Sequence, residues 1–340
     1  MAVTSLQSIA PRRLANQALT GPVLPRPADV VGWFGAVQAQ EFEPAKWALR
    51  LRMREGTSAS VGRAFDEGHI LRTHVMRPTW HFVRPEDFHW LMALTAPRVH
   101  QACGYHRRYV ELDTRTLTRA TAVVERALAG GTFLTRQELA ERLHRAKLSM
   151  VGQRLAVVLM FAELESVICS GPRRGRQSTY ALVSDRAPRH EVLPRDEALA
   201  RLCRLYFTSH GPATLRDFSW WSGLTMADGR RGLDMIKASS ETVEGLTYWR
   251  SGISRRAGLR NDPVHLVPIY DEYVVAYRDR VAVPHGPLFR HFIVVNGQIA
   301  GGWQPGKDGR VAMTTTRRLT GPEQKAAKRA AARYADFVHG

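Results

Sequence analysis

Apolar residues recur at helical spacing through residues 28 to 37, where Val30, Val31, Trp33, Phe34 and Val37 define the buried side of a helix. Pro44 then opens a second helix, PAKWALRLRM, as proline does in a first turn, and the segment QAQEFE joins the two. A short helix over 58 to 67 precedes two β-rich runs, ILRTHV and TWHFV, split by a Met-Arg-Pro turn, and another helix starts near Pro85. Helices followed by a two-stranded hairpin are the order of a winged helix.

The same order returns twice. Helices are expected over about 114 to 129, 135 to 146 and 152 to 166, followed by VICSGPRRGRQSTYALV, a second hairpin whose tip carries Arg173, Arg174 and Arg176 between glycines. A third round has a helix over 195 to 209 and two more around the Ser-Gly of 222 and 223. There Leu215, Phe218, Trp221 and Leu224 share a face, which puts Trp221 in the core and Trp220 on another side. From about 242 the chain turns β-rich (TVEGLTYW, HLVPIYDEYVVAY, HFIVVNGQIAGGW, VAMTTT) and ends in a basic helix, EQKAAKRAAARYADFV. The expected fold is α+β, with three tandem winged-helix units over 1–112, 113–190 and 191–260 forming a concave DNA channel, and a β-rich, barrel-like domain over 261–340.

Charge turns this pattern toward a partner. With 49 Lys and Arg against 31 Asp and Glu, the formal net charge is +18, so the field of the protein attracts polyanions, double-stranded DNA first among them. No run approaches the roughly 18 apolar residues of a membrane span, and the first residues lack the apolar core of a signal peptide. Cys103, Cys169 and Cys203 lie far apart without paired spacing, which suits buried thiols in a reducing cytoplasm and no zinc site; a monomer is expected. Walker, HExxH, GxSxG and dinucleotide-binding signatures are absent, so an enzyme here would work without an obvious cofactor.

The unusual chemistry lies in VQAQEFEPAKW, where Gln38, Gln40, Glu41 and Glu43 crowd the junction of two apolar helices. VQAQ with PAKWALRLR, then LRTHVMRPTWHFVRPEDF, SGPRRGRQSTYALV, SHGPATLRDFSWWSGL, VPIYDEYVVAYRDR and VVNGQIAGGW, resembles in order the HTH_42 family of bacterial winged-helix DNA glycosylases, the AlkZ-like type that unhooks azinomycin crosslinks. The resemblance runs over roughly residues 8 to 315. It implies hydrolysis of the N-glycosidic bond of N7-alkylated guanine, with the family's motif of Gln, an apolar residue, then Gln or Asp falling here on Gln38, Ala39 and Gln40. No cofactor or metal is implied. Glu41 is either a supporting base or a solvated carboxylate. Arg77, Thr79 and His81 on the first hairpin, and Arg173, Arg174, Arg176 and Gln177 on the second, are the candidate DNA contacts, with His81 equally able to hold its hairpin by a hydrogen bond. A non-catalytic DNA-binding protein, a regulator or a lesion-binding factor, is the competing reading.

Overall fold

The computed structural model describes residues 5–187, 193–252, 262–286, 290–306 and 308–340. In chain order it opens with α1 (Ile9–Asn16), α2 (Pro27–Phe34), β1 (Val37–Gln38), α3 (Phe42–Leu51) and α4 (Ser58–Asp66). There follow β2 (Leu71–Val75), β3 (Arg77–Val83), α5 (Pro85–Ala102), α6 (Gly104–Tyr109), α7 (Thr114–Leu128), β4 (Leu134–Thr135), α8 (Arg136–Arg145), α9 (Gly152–Leu164), β5 (Ile168–Arg174), β6 (Gln177–Leu182) and α10 (Val183–Arg186). Then come α11 (Arg195–Ser209), α12 (Leu215–Ser222), α13 (Met226–Ile236), β7 (Ser239–Val243), β8 (Leu246–Arg250), β9 (Val264–Val267), α14 (Glu272–Val275), β10 (Phe292–Val295), β11 (Gln298–Pro305), β12 (Val311–Thr315) and α15 (Gly321–His339). The chain folds as two compact units, Met1–Arg63 with Leu199–Gly340, and Ala64–Ala198. The boundaries expected at 190/191 and 260/261 fall outside the described residues.

In the 64–198 unit, β2 and β3 form an antiparallel hairpin, turned at Met76 with φ +63°. Helices α7, α8 and α9 bury Leu117, Val124, Leu139, Leu143, Leu155 and Val158 in one core, against a small sheet ordered β4-β6-β5. Thr135 and Glu138 cap α8 reciprocally: the Thr135 N–H donates to Glu138 Oε2 (2.7 Å) and the Glu138 N–H to Thr135 Oγ1 (3.3 Å).

In the other unit, Thr214 with Asp217 and Thr225 with Asp228 start α12 and α13 by the same device, and Gly223 (φ +71°) ends α12 at the expected Ser-Gly. Trp221 is fully buried, and Trp220, 37% exposed, donates its Nε1–H to the Val275 carbonyl. The terminal strands depart from the expected barrel: β9 to β12 make an open antiparallel sheet ordered β12-β11-β10-β9. Helix α15 packs its Ala326, Ala327, Ala330 and Phe337 inward, so one face of the sheet is covered without closure. A second departure is local. The run expected as one strand, HLVPIYDEYVVAY, is strand only in β9, because Asp271 accepts from the Tyr273 N–H (2.9 Å) and caps the short helix α14.

Two capping carboxylates make the fold acid-sensitive. Hydrogen bonds from the Thr135 backbone and Arg174 hold Glu138 down at about 2, and Arg317 with the Thr320 backbone does the same for Glu323 at the start of α15. A carboxylate with a depressed native pKa stabilises above its unfolded value and loses that contribution as pH falls toward the native one. The melting temperature is therefore expected to fall between about pH 4.5 and about pH 2, and to fall less steeply in Glu138→Gln/Glu323→Gln. Equal acid slopes for the two proteins in thermal melts would remove the caps from the account.

Candidate active site

The segment between α2 and α3 is shaped by its first and last residues. Gly35 takes φ +85° at the end of α2, and a Cβ there would meet Leu205 Cδ1 at 3.1 Å. The chain then runs extended through Val37 and Gln38, buries Ala39 completely, and exposes Gln40 and Glu41. Glu41 occupies the position before α3, and that helix starts at Phe42 rather than Pro44, whose missing N–H falls in a first turn where none is needed. Glu43 is committed to Lys46 (2.6 Å), which also donates to Ser58 Oγ (2.6 Å). Glu41, exposed beside the ring of Tyr270, adds negative charge to the first turn of α3.

Beneath Gln38, which is 6% exposed, lies a carboxylate with no exposure at all. The Gln38 backbone N–H donates to Glu272 Oε1 at 2.7 Å, while Oε2 accepts from Trp221 Nε1 at 2.9 Å and faces His210 Nε2 at 3.2 Å. Burial pushes the His210 pKa down against the pull of Glu272, so the ring is neutral at neutral pH. On the other side of the ring Nδ1 lies 2.9 Å from Ser209 Oγ, whose hydroxyl donates to the Leu205 carbonyl at 2.7 Å. The next residue back, Asp271, receives both guanidinium nitrogens of Arg52 at 2.8 Å, and Arg52 also donates to the carbonyl and side-chain oxygens of Gln17. Arg52 follows the last turn of α3. The stretch from Gln38 to Arg52 is thus fastened at both ends to two neighbouring acids of one helix start, while Trp47 in its middle donates to the Leu266 carbonyl (2.7 Å) and packs on Tyr334 and Phe337.

The remaining candidates belong to the 64–198 unit. The β5–β6 hairpin closes through Gly175 (φ +61°) with Arg176 and Gln177 exposed at its tip. Its other arginines are partly committed: the Arg173 N–H donates to Asp66 Oδ1 (2.7 Å) and its guanidinium to the Arg176 carbonyl, while Arg174 bonds Glu138 (2.8 Å) and the Phe133 carbonyl (2.9 Å), pinning hairpin to helix. Arg77 and Thr79 are half-buried on β3. His81 has no exposure and its Nδ1–H donates to the Thr79 carbonyl (2.9 Å), so its ring belongs to the strand's interior. Gln177 and Trp80 line one shallow pocket of about 470 Å³. Among the described residues no group of three or more His, Cys, Asp or Glu is placed to hold a metal ion, and no helix is long and apolar enough to cross a membrane.

A family model described as DNA glycosylase AlkZ-like matches residues 31–337. The chain belongs to the AlkZ-like DNA glycosylase family. It is similar to the interstrand DNA cross-link repair glycosylase of Streptomyces sahachiroi, at 27% identity over 325 residues, which cover 86% of this chain and 85% of that one. The solved structure of the Streptomyces sahachiroi DNA glycosylase AlkZ superposes with a TM-score of 0.82 at 24% identity, covering 98% of this chain and 97% of that chain. As an AlkZ-like glycosylase the protein is an enzyme whose substrate is DNA.

Glu272, Asp271, His210 and Arg52 escaped the sequence reading of this AlkZ-like chain. One signal was present: two adjacent acids in the otherwise apolar and aromatic run IYDEYVV must be paired if the run is buried. Removing the partner of such an acid leaves an uncompensated charge. Arg52→Met is expected to lower unfolding free energy by about 3–5 kcal/mol, read from urea melts; a loss below about 1 kcal/mol, the scale of a surface pair, would show that the Arg52–Asp271 pair does not hold α3 in place.

Proposed function

We propose that this protein hydrolyses the C1′–N9 bond of N7-alkylated purines in double-stranded DNA, bulky adducts and interstrand crosslinks included, with Gln38 and Gln40 orienting the attacking water. The observation that carries the reading is the Gln-Ala-Gln segment, held at a rigid helix junction in a chain of the AlkZ-like family. The name of the Streptomyces sahachiroi relative supports the crosslink part.

Alkylation at N7 makes the purine cationic. When the C1′–N9 bond breaks, its electron pair leaves with the base, which departs neutral, so no general acid is required. Water adds to C1′ of the oxocarbenium-like sugar and loses a proton to solvent. The catalytic work is orientation and charge stabilisation. A glutamine carbonyl accepts a hydrogen bond from that water while its NH₂ holds a phosphate or backbone oxygen, and strong basicity is unnecessary because the substrate is already activated. Glu41, exposed beside the two amides, supports the developing cation electrostatically.

The three rounds of helices and hairpin act as tandem winged-helix units over 1–112, 113–190 and 191–260, with 261–340 as a fourth domain. Together they grip the duplex by backbone and shape. Arg176 and Gln177 at the β5–β6 tip, with Arg173 behind them, enter the minor groove; Arg77 and Thr79 contact phosphates. Arg174 both faces DNA and braces the hairpin through Glu138, and His81 supports β3 from within. A hairpin bound in the minor groove leaves a bulky lesion in the stack and avoids a tight flipped-base pocket. The protein works as a cytoplasmic monomer on the nucleoid.

Incubation with DNA carrying N7-methylguanine, followed by alkaline cleavage at abasic sites, tests the chemistry. Wild type is expected to release the base, and Gln38→Ala or Gln40→Ala to slow release by at least about tenfold, or about 1.4 kcal/mol of barrier. Tight binding without release from either N7-methylguanine or a bulky N7 adduct would favour a lesion-binding factor. For the hairpin, Arg173→Ala/Arg174→Ala/Arg176→Ala is expected to weaken DNA affinity and flatten its salt dependence; unchanged affinity and excision would remove the hairpin from the interface.

A further inference from the structure

We propose that Glu272 is a positioning residue for excision, acting through the Gln38 backbone; the inference rests on the reading of Gln38 as a water-orienting amide. A glutamine that merely points a water has little intrinsic catalytic strength, so its contribution depends on where its Cα is held. A misplacement of about 1 Å at a reacting centre costs on the order of 100-fold. Gln38 sits in a strand of only two residues between two helices, the shortest of ladders. From behind, its N–H is held by Glu272 Oε1 at 2.7 Å.

The carboxylate is itself immobile. Both its oxygens are engaged, its backbone carbonyl accepts from Gln17 Nε2 (3.3 Å), and the residue before it is tied to Arg52 by two hydrogen bonds. One oxygen accepts from a backbone N–H and the other from an indole N–H. An amide in its place would have to turn its NH₂ toward Gln38, or toward Trp221 and His210. The acid is also screened from substrate chemistry, being wholly buried with His210 and Trp221 around Oε2. It therefore contributes by fixing Gln38 rather than by touching water or sugar.

Single-turnover excision of N7-methylguanine at saturating protein, DNA affinity, and hydrogen exchange of the Gln38 amide are compared for wild type, Glu272→Ala, Glu272→Gln, Gln38→Ala and Gln38→Ala/Glu272→Ala. Val243→Ala, at the end of β7 and buried against Ile9 and Tyr248, serves as a core variant of lowered stability. Glu272→Ala is expected to cut the rate about tenfold or more while DNA affinity stays within threefold, and to speed exchange of the Gln38 amide. Glu272→Gln is expected to fall between it and wild type. In the Gln38→Ala background the Glu272 change is expected to cost less than a further twofold, and Val243→Ala to keep the wild-type rate. A Glu272→Ala rate within twofold of wild type, losses that multiply in the double variant, or unchanged amide exchange would each overturn the proposal. Should Glu272→Ala lack a cooperative melt, Glu272→Gln takes its place in the cycle under the same criteria. A Gln38→Ala protein that excises at the wild-type rate would instead overturn the reading of Gln38 itself.

Discussion

Two neighbouring carboxylates with no exposed surface, Asp271 and Glu272, impose the constraint that organises the unit holding Gln38. An unpaired charge in the interior costs several kcal/mol even after relaxation, so each acid must collect donors from wherever the chain can supply them. Asp271 takes the guanidinium of Arg52 and caps α14; Glu272 takes a backbone N–H from β1 and an indole N–H from α12, and meets the imidazole of the residue after α11. The first 52 residues and the segment from 206 to 277 are thereby joined through hydrogen bonds that cannot be exchanged for water. Apolar packing of Trp47, Trp221, Tyr206 and Phe34 supplies the bulk of the burial, but it is directionless. The acids choose which backbone atom of β1 sits against α14.

The same logic revises what the net charge means. Part of the basic excess lies inside. Arg13 is buried, with Nε on the Pro212 carbonyl and its guanidinium 3.7 Å over the Tyr277 ring, and Arg52 is consumed by Asp271. Arg72, stacked on Trp80 at 3.7 Å, is pushed down to about 10 by burial, yet remains charged at neutral pH, within a cluster that includes Glu163 hydrogen-bonded to His74. Arg52 acts as a fork-shaped donor that joins elements, and Arg13 and Arg72 stack their planar guanidinium groups on aromatic rings, uses lysine serves poorly. The charge available to a polyanion is carried by those left at hairpin tips and along exposed helix faces.

How much of this was legible in the sequence follows from the range of the forces involved. Helices with caps, such as α8 with its Thr-x-x-Glu and α12 with its Thr-x-x-Asp, and the hairpin turned on Gly175, are determined within a few residues and could be read directly. The Gln-Ala-Gln segment was visible because amides between apolar helices violate local pattern. Its support was not visible: Gln38 and Glu272 are 234 residues apart, and the acid lay in a run whose aromatic and β-branched residues argue for strand. A single side-chain cap from Asp271 overrode that propensity. The expected barrel failed for a related reason. Strand count and alternation predict a sheet, but whether it closes or is covered by a helix depends on tertiary geometry, and the alanine-rich inner face of α15 provides the cover.

On the proposed chemistry, a buried acid behind Gln38 adds accurate positioning to the electrostatic support given by exposed Glu41. A carboxylate held beside the reacting sugar as a strong general base would extend reactivity toward bases that carry no positive charge and hence no activated bond, whereas an exposed one such as Glu41 favours the cationic sugar without that basicity. Undamaged DNA outnumbers lesions enormously, so weak intrinsic chemistry held in accurate geometry discriminates by substrate activation rather than by recognition of each adduct's shape. Selectivity of that kind tolerates a varied bulky substituent at N7, provided the two amides stay where the water must be. Rigidity is then the property under demand at Gln38, and burial of Glu272 supplies it: in a dry interior no water replaces a lost hydrogen bond to the carboxylate, which makes the alternative positions of β1 costly.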